Sequence, residues 1–380
     1  MKDVVTSGAP TQSGARVTRT SRDATNGADA EAGSSYRAAG VDIEAGDRAV
    51  ELMRSKVKKT FRPEVVGNIG GFAGLFAFDT DKYKKPVLAS STDGVGTKLA
   101  IAQQMDIHDT VGIDLVAMVV DDLVVCGAEP LFLQDYIAIG KVVPEKVADI
   151  VGGIADGCRW AGCALLGGET AEHPGLLSPG EYDIAATGVG VVDADNILGV
   201  ERIKAGDQII ALPSSGLHSN GYSLVRHPLL ADGKMRLDQI VPELGRQRTL
   251  GEELLTPTTI YAQACLAVIE ECEVHALAHI TGGGLPGNVV RVIGEDVDAV
   301  IDRATWRPKP IFDLVGTIGR VTRQEMERTF NMGVGMIVVL PPSDADRAIA
   351  SFSARGIEAW PIGEIVSGTG NVRLVDNHPS

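Results

Sequence analysis

Ser90-Ser91-Thr92-Asp93-Gly94-Val95-Gly96-Thr97-Lys98 lies between the apolar runs Val87-Leu88-Ala89 and Leu99-Ala100-Ile101-Ala102. The pattern predicts a strand running into a loop that opens a helix. Gly94 and Gly96 allow turns in which successive N–H groups face one concavity, with no Cβ to hold a ligand oxygen away. Asp93 adds a hard oxygen suited to magnesium, Thr92 and Thr97 add hydroxyls, and Lys98 adds a mobile cation for a phosphoryl oxygen. The plain alternative is a glycine turn whose aspartate caps a helix. The stretch is not a P-loop, which needs four residues between its glycines and an adjacent Lys-Ser/Thr.

Composition sets the frame for that loop. A chain of 380 residues, 44% of them hydrophobic, can bury the cores of two domains, and 45 glycines with few aromatics suit an α/β enzyme with many tight loops. Fifty acidic residues against 35 basic ones give a net charge of −15, which opposes non-specific attraction to nucleic acid or to an anionic membrane. An anionic substrate must therefore be met by local donors. Five cysteines, Cys126, Cys158, Cys163, Cys265 and Cys272, include no CxxC pair and suit a reducing cytoplasm better than a zinc site. No apolar leader and no membrane-spanning run is present, so the expectation is a soluble cytoplasmic protein.

Along the chain, residues 1–34 are rich in Ser, Thr, Gly, Ala and Asp and read as a disordered tail. Residues 43–57 show helical spacing, and the loop Gly67-Asn68-Ile69-Gly70-Gly71-Phe72-Ala73-Gly74 is a candidate nucleotide cover through Gly70 and Gly71. Residues 113–126 read as a nearly all-apolar helix. Asp122 shares a face there with Leu115, Met118, Val119 and Cys126. A carboxylate on an apolar face needs a partner, so Asp122 is the candidate metal ligand, and Asp121 is expected in an outer shell or facing solvent. The alternative is that Asp122 accepts N–H bonds from a neighbouring loop.

Three later junctions repeat the theme. A buried strand over 163–166 runs into Gly167-Gly168-Glu169-Thr170, a glycine loop with a carboxylate. A strand over 207–212 leads to His218-Ser219-Asn220-Gly221, where Ser219 and Asn220 could cap a helix and leave its N–H groups for an anion. His218 then stands near a phosphate or a reacting group, or is merely structural. After a helix over 257–271, Thr281-Gly282-Gly283-Gly284 precedes Pro286 and makes a further anion cradle. The rest alternates strands and helices.

Seven ordered runs carry a family resemblance: Tyr36-Arg37-Ala38-Ala39-Gly40-Val41-Asp42-Ile43, the stretch Ser91 to Lys98, Gly112 to Met118, Cys126-Gly127-Ala128-Glu129-Pro130, Gly167 to Glu172, His218 to Val225 and Thr281 to Gly284. Over about residues 35–375 the chain resembles the phosphoribosylformylglycinamidine cyclo-ligases, also called aminoimidazole ribonucleotide synthetases. The resemblance implies ATP-dependent formation of aminoimidazole ribonucleotide from formylglycinamidine ribonucleotide. It implies an α/β (α+β) fold of two domains, residues 35–200 carrying a mixed sheet that forms a homodimer interface beside the ATP site, and 201–376 carrying an α/β domain. Asp93 and Asp122, with Glu169, would serve Mg2+. Gly70, Gly71, Thr92, Gly94, Gly96, Thr97, Lys98, Ser219, Gly282 and Gly283 would serve phosphates, and His218, Asn220 and Lys98 would stand at the reacting centre. The family pattern usually has Asn before Asp122, where this chain has Asp121. A selenophosphate synthetase would carry a reactive Cys near its N-terminus, and no Cys precedes Cys126 here.

Overall fold

The computed structural model describes residues 39–245 and 247–379, and the tail expected to be disordered lies outside them. The first part contains helix α1 (Ile43–Lys58), a small ribbon of β1 (Val65–Val66) and β2 (Leu75–Phe76), strand β3 (Pro86–Gly94), helices α2 (Leu99–Met105) and α3 (Val111–Val124), β4 (Glu129–Ile139), α4 (Pro144–Ala161), β5 (Ala164–Glu172) and β6 (Tyr182–Asp193). The second contains β7 (Gln208–Pro213), α5 (Tyr222–Arg226), α6 (Leu250–Leu254), α7 (Ala262–Glu271), β8 (Ala276–His279), α8 (Gly284–Val289), β9 (Val297–Asp302), α9 (Pro310–Gly319), α10 (Arg323–Thr329), β10 (Val334–Leu340), α11 (Pro342–Ala354), β11 (Trp360–Ser367) and β12 (Val372–Val375). The fold is α/β, as expected.

Four strands form a mixed sheet in the order β3-β6-β4-β5, with only β4 and β5 parallel. Six form a second sheet in the order β12-β9-β11-β7-β10-β8. Strand β10 is buried along its whole length, which suits its unbroken apolar sequence. On the first sheet the side chains alternate. The face under α3 is apolar, whereas Leu88, Ser90 and Thr92 of β3 and Gln134 and Tyr136 of β4 are exposed on the other face. Thr92 pairs with Thr187 across that open face, their hydroxyl oxygens 2.8 Å apart.

Helix α3 is wedged between the sheet and α4, and glycines set the depth of the wedge. A Cβ on Gly112 would lie 2.3 Å from the Ile154 nitrogen and 2.4 Å from the Ile150 carbonyl oxygen, and one on Gly153 would lie 2.1 Å from the Asp109 carbonyl oxygen. Backbone cannot yield there as a flexible side chain can. Gly112→Ala is therefore expected to cost about 1–3 kcal/mol by overpacking, read as a lower urea midpoint at unchanged slope.

Two expected loops are strand instead. Ser90 to Gly94 continues β3 by pairing with Ala185 to Val189 of β6. Gly167 to Glu172 continues β5 by pairing with Gln134 to Ile139, after a bulge between Leu133 and Gln134. Gly168 is small for a packing reason, since its Cβ would sit 2.1 Å from an Asp135 carboxylate oxygen. The helix expected from Pro257 begins only at Ala262, because the N–H groups of Thr258 and Tyr261 are taken by the Asp114 and Asp121 carboxylates.

Candidate functional site

At the end of β3 the chain turns through Val95 into a single helical turn, Gly96 to Lys98, that feeds α2. Gly96 adopts the left-handed conformation, φ 72°, that glycine takes without strain. Beside this corner lies a cleft of about 360 Å³ whose lining includes Asp93, Gly94, Gly96, Met118, Ser219 and Asn220. Residues from β3, from α3 and from the turn before α5 thus meet.

Asp122 joins them from α3, one turn beyond Met118. Its Oδ1 accepts a 3.0 Å hydrogen bond from Nδ1 of His279 at the end of β8. Burial lifts the Asp93 carboxyl above the usual range, the Gly94 N–H pulls it back, and the Asp122 charge lifts it further. Burial opposes the charged form of His279, but the hydrogen bond to Asp122 and the fields of Asp121, Asp122 and Asp93 raise its pKa overall. Asp93 therefore feels the Asp122 charge beside one imidazole. His279 leads directly into Thr281-Gly282, and a Cβ on Gly282 would lie 3.5 Å from the Asn220 amide oxygen. Asp93 thus lies near Asp122, and Asn220 near Gly282.

The roles of the two aspartates on α3 rest on different physics from those expected. Asp121 does not face solvent. It is fully buried, accepts the Tyr261 N–H at 3.0 Å, and burial pushes it up to about 7 against the pull of His279 and that hydrogen bond. Asp122 has a side chain 37% exposed. Helix α3 is buried on nearly all sides, so no single apolar face distinguishes the two, and Asp122 is simply the more exposed of them.

Lys98 is not the mobile phosphate cation expected of it. Its side chain is fully buried, and Nζ donates to the Asp114 carboxylate at 2.9 Å, to the His218 carbonyl at 3.1 Å and to the Thr256 carbonyl at 2.7 Å. An ammonium has three donors, and all three are spent. His218, too, is buried, at φ 60°, with Nε2 accepting the Ser215 N–H at 3.1 Å. Burial holds its pKa well below the usual value, assisted by the charges of His279, Lys98 and Lys309, so the ring is neutral. Ser219 and Asn220 do not cap α5, whose cap is Gly221. Instead the Ser219 hydroxyl meets that of Thr258 at 3.1 Å.

The remaining expected residues lie elsewhere. Gly70 and Gly71 line a second cavity of about 450 Å³ with Asp42, Asp135 and Glu169. In register, Asp93 stands opposite Ala186, Ala186 opposite Asp135, and Asp135 opposite Gly168. Three strand spacings put Gly168 about 14 Å from Asp93. Within one chain, Glu169 thus stands apart from the Asp93 and Asp122 pair. Gly283 opens onto a hollow on the α10 side of its turn. Among the described residues, no group of three His, Cys, Asp or Glu side chains forms a ready-made metal cage. His279 and Asp114 are the partners of Asp122 and Lys98 that sequence reading missed. Their only signal was a polar residue inside an otherwise buried apolar run.

With this geometry in hand, comparison with known proteins is informative. The family described as AIR synthase related protein, N-terminal domain, matches residues 73–192, and AIR synthase related protein, C-terminal domain, matches 204–376. A phosphoribosylformylglycinamidine cyclo-ligase of Brevibacillus brevis is 54% identical over 333 residues, covering 88% of this chain and 96% of the relative. One of Myxococcus xanthus is 51% identical over 343 residues, 90% and 99% of the two chains. The fold is shared with thiamine-monophosphate kinase from Stenotrophomonas maltophilia (TM-score 0.61, 17% identity, covering 87% of this chain and 97% of that one). It is shared also with the hydrogenase maturation protein HypE (TM-score 0.60, 17% identity, 87% and 91%).

Proposed function

The chain belongs to the phosphoribosylformylglycinamidine cyclo-ligase family, and on that premise we propose that it closes the imidazole ring of aminoimidazole ribonucleotide from formylglycinamidine ribonucleotide, with ATP hydrolysed to ADP and phosphate. The observation that carries the reading is the meeting of Asp93 and Asp122 beside the Ser219-Asn220 turn and Gly282. The Asp122 charge raises the affinity of the Asp93 carboxylate for positive charge, and the hard oxygens of both fit magnesium. Mg2+, when bound, supplies the charge that neutralises ATP phosphates. The residues of the chain do the rest. His279 holds Asp122 in place, while Ser219, Asn220 and the Gly96 backbone present polar groups to phosphoryl oxygens.

In this reading the formyl oxygen of the substrate takes the γ-phosphoryl group and becomes a good leaving group. An amidine nitrogen then attacks the activated carbon, phosphate departs, and the ring closes. The assay mixes purified protein with Mg-ATP and formylglycinamidine ribonucleotide and follows aminoimidazole and ADP together. Stoichiometric appearance of both, abolished by EDTA and restored by Mg2+, supports the proposal. ADP release that ignores the ribonucleotide would refute it.

We further propose that residues 35–200 and 201–376 are its two domains, that the reaction is cytoplasmic, in keeping with five unpaired cysteines, and that the protein is a homodimer. The open face of the first sheet, with Leu88 64% exposed and Tyr136 41% exposed, is the surface such a dimer would cover. Sedimentation equilibrium is expected to give twice the chain mass of 39.9 kDa. Among the described residues, no helix is long and apolar enough to cross a membrane.

A further inference from the structure

One cation beside the cleft has a buried nitrogen without a partner among the described residues. Arg226 closes α5, three residues after Ser223 and so on the same side of the helix. Its Nε is buried without a hydrogen-bond partner, although a guanidinium keeps its charge and donates through five N–H groups. A buried donor of this kind costs stability unless something meets it, and native proteins leave few such groups without a use. The neighbouring His227 does not share the vacancy, because its Nδ1 takes Asp232 Oδ2 at 3.1 Å.

Arg226 borders a hollow of about 450 Å³ formed with Gln104, Ser223, His227, Leu230 and Ala231, a lining that contains no carboxylate. The hollow adjoins the phosphate loop, since the Ser223 hydroxyl lies 3.1 Å from that of Thr97, and Gly96 next to it lines the cleft. In a chain of net charge −15, an acid-free recess holding an unpaired arginine is a local reversal of sign, and its chemistry matches a dianion.

We propose that Arg226, with Ser223 and Gln104, binds the phosphate monoester of the ribonucleotide substrate, the end remote from the ring being closed. This rests on the proposed cyclo-ligase reading. It also divides the binding of two anionic groups, the aspartate pair handling the triphosphate through magnesium and Arg226 the ester directly.

The test uses the full-length protein and compares Arg226→Ala and Arg226→Lys with the parent, with circular dichroism melting as the folding control. The expected result for Arg226→Ala is a KM for formylglycinamidine ribonucleotide raised about 30-fold, with KM for ATP unchanged and kcat within a few-fold. Arg226→Lys recovers part of the loss. An unchanged ribonucleotide KM, or an ATP KM that rises in parallel, overturns the assignment. Calorimetric titration of the parent with ribose 5-phosphate and, separately, with inorganic phosphate keeps this apart from the catalytic reading. Ribose 5-phosphate binding that Arg226→Ala abolishes supports the ester site even if no aminoimidazole is made. Equal binding of inorganic phosphate and ribose 5-phosphate would make the recess a product site and overturn the ester assignment.

Discussion

Asp93→Asn is expected to lower aminoimidazole formation by at least about a hundredfold while leaving the melting temperature within a degree or two. The substitution keeps the volume of the side chain and an oxygen to accept the Gly94 N–H, which Asp93 Oδ1 now takes at 2.7 Å. What it removes is one of two carboxylates whose proximity raises the affinity of the cleft for a cation. Stability, by contrast, has little to lose, because half-burial of an aspartate beside another aspartate is an electrostatic strain that the amide relieves. Loss of turnover with a retained or slightly higher melting temperature separates a chemical role from a structural one. Turnover equal to the parent's takes Asp93 out of the reaction.

Lys98→Met is expected to do the reverse, costing about 3–5 kcal/mol of stability without a selective rise in KM for ATP. The ammonium is fully buried, and its carboxylate partner Asp114 is equally buried and also accepts the Thr258 N–H at 2.7 Å and hydroxyl at 2.6 Å. Removing the cation strands that carboxylate in a low-dielectric interior. Adding Asp114→Asn should recover much of the loss, because the pair forms one network and the two effects are not additive. A Lys98→Met protein that melts like the parent but needs far more ATP would restore the phosphate-binding role that the geometry denies it.

These two residues also show what a sequence can reveal. The position of Asp93 beside the cleft was legible because it follows from local context: a strand, an acid and glycines within a few positions. The nearness of Asp122 to Asp93 and of Gly282 to Asn220 was legible for a similar reason, each sitting at the end of a regular element. Lys98 was misread because its partners at Asp114, His218 and Thr256 lie 16, 120 and 158 residues away, and nothing in STDGVGTK announces them. Asp121 and Asp122 were weighed by helical faces, and that reasoning needs one face to be wetter than the other. On a helix packed between a sheet and other helices the distinction disappears, and tertiary neighbours decide. Glycine misled in the same way. At Gly168 it marks a carboxylate pressed close rather than room for a ligand.

The Lys98 knot also governs how ligands can enter. The corner carrying Asp93 cannot swing clear of Ser219 and Asn220 unless a dry ammonium gives up three partners at once, so a breathing motion between the two sheets is energetically barred. Traffic must instead pass the solvent-open side of the corner, where Gly96 is exposed and no neighbour presses on it.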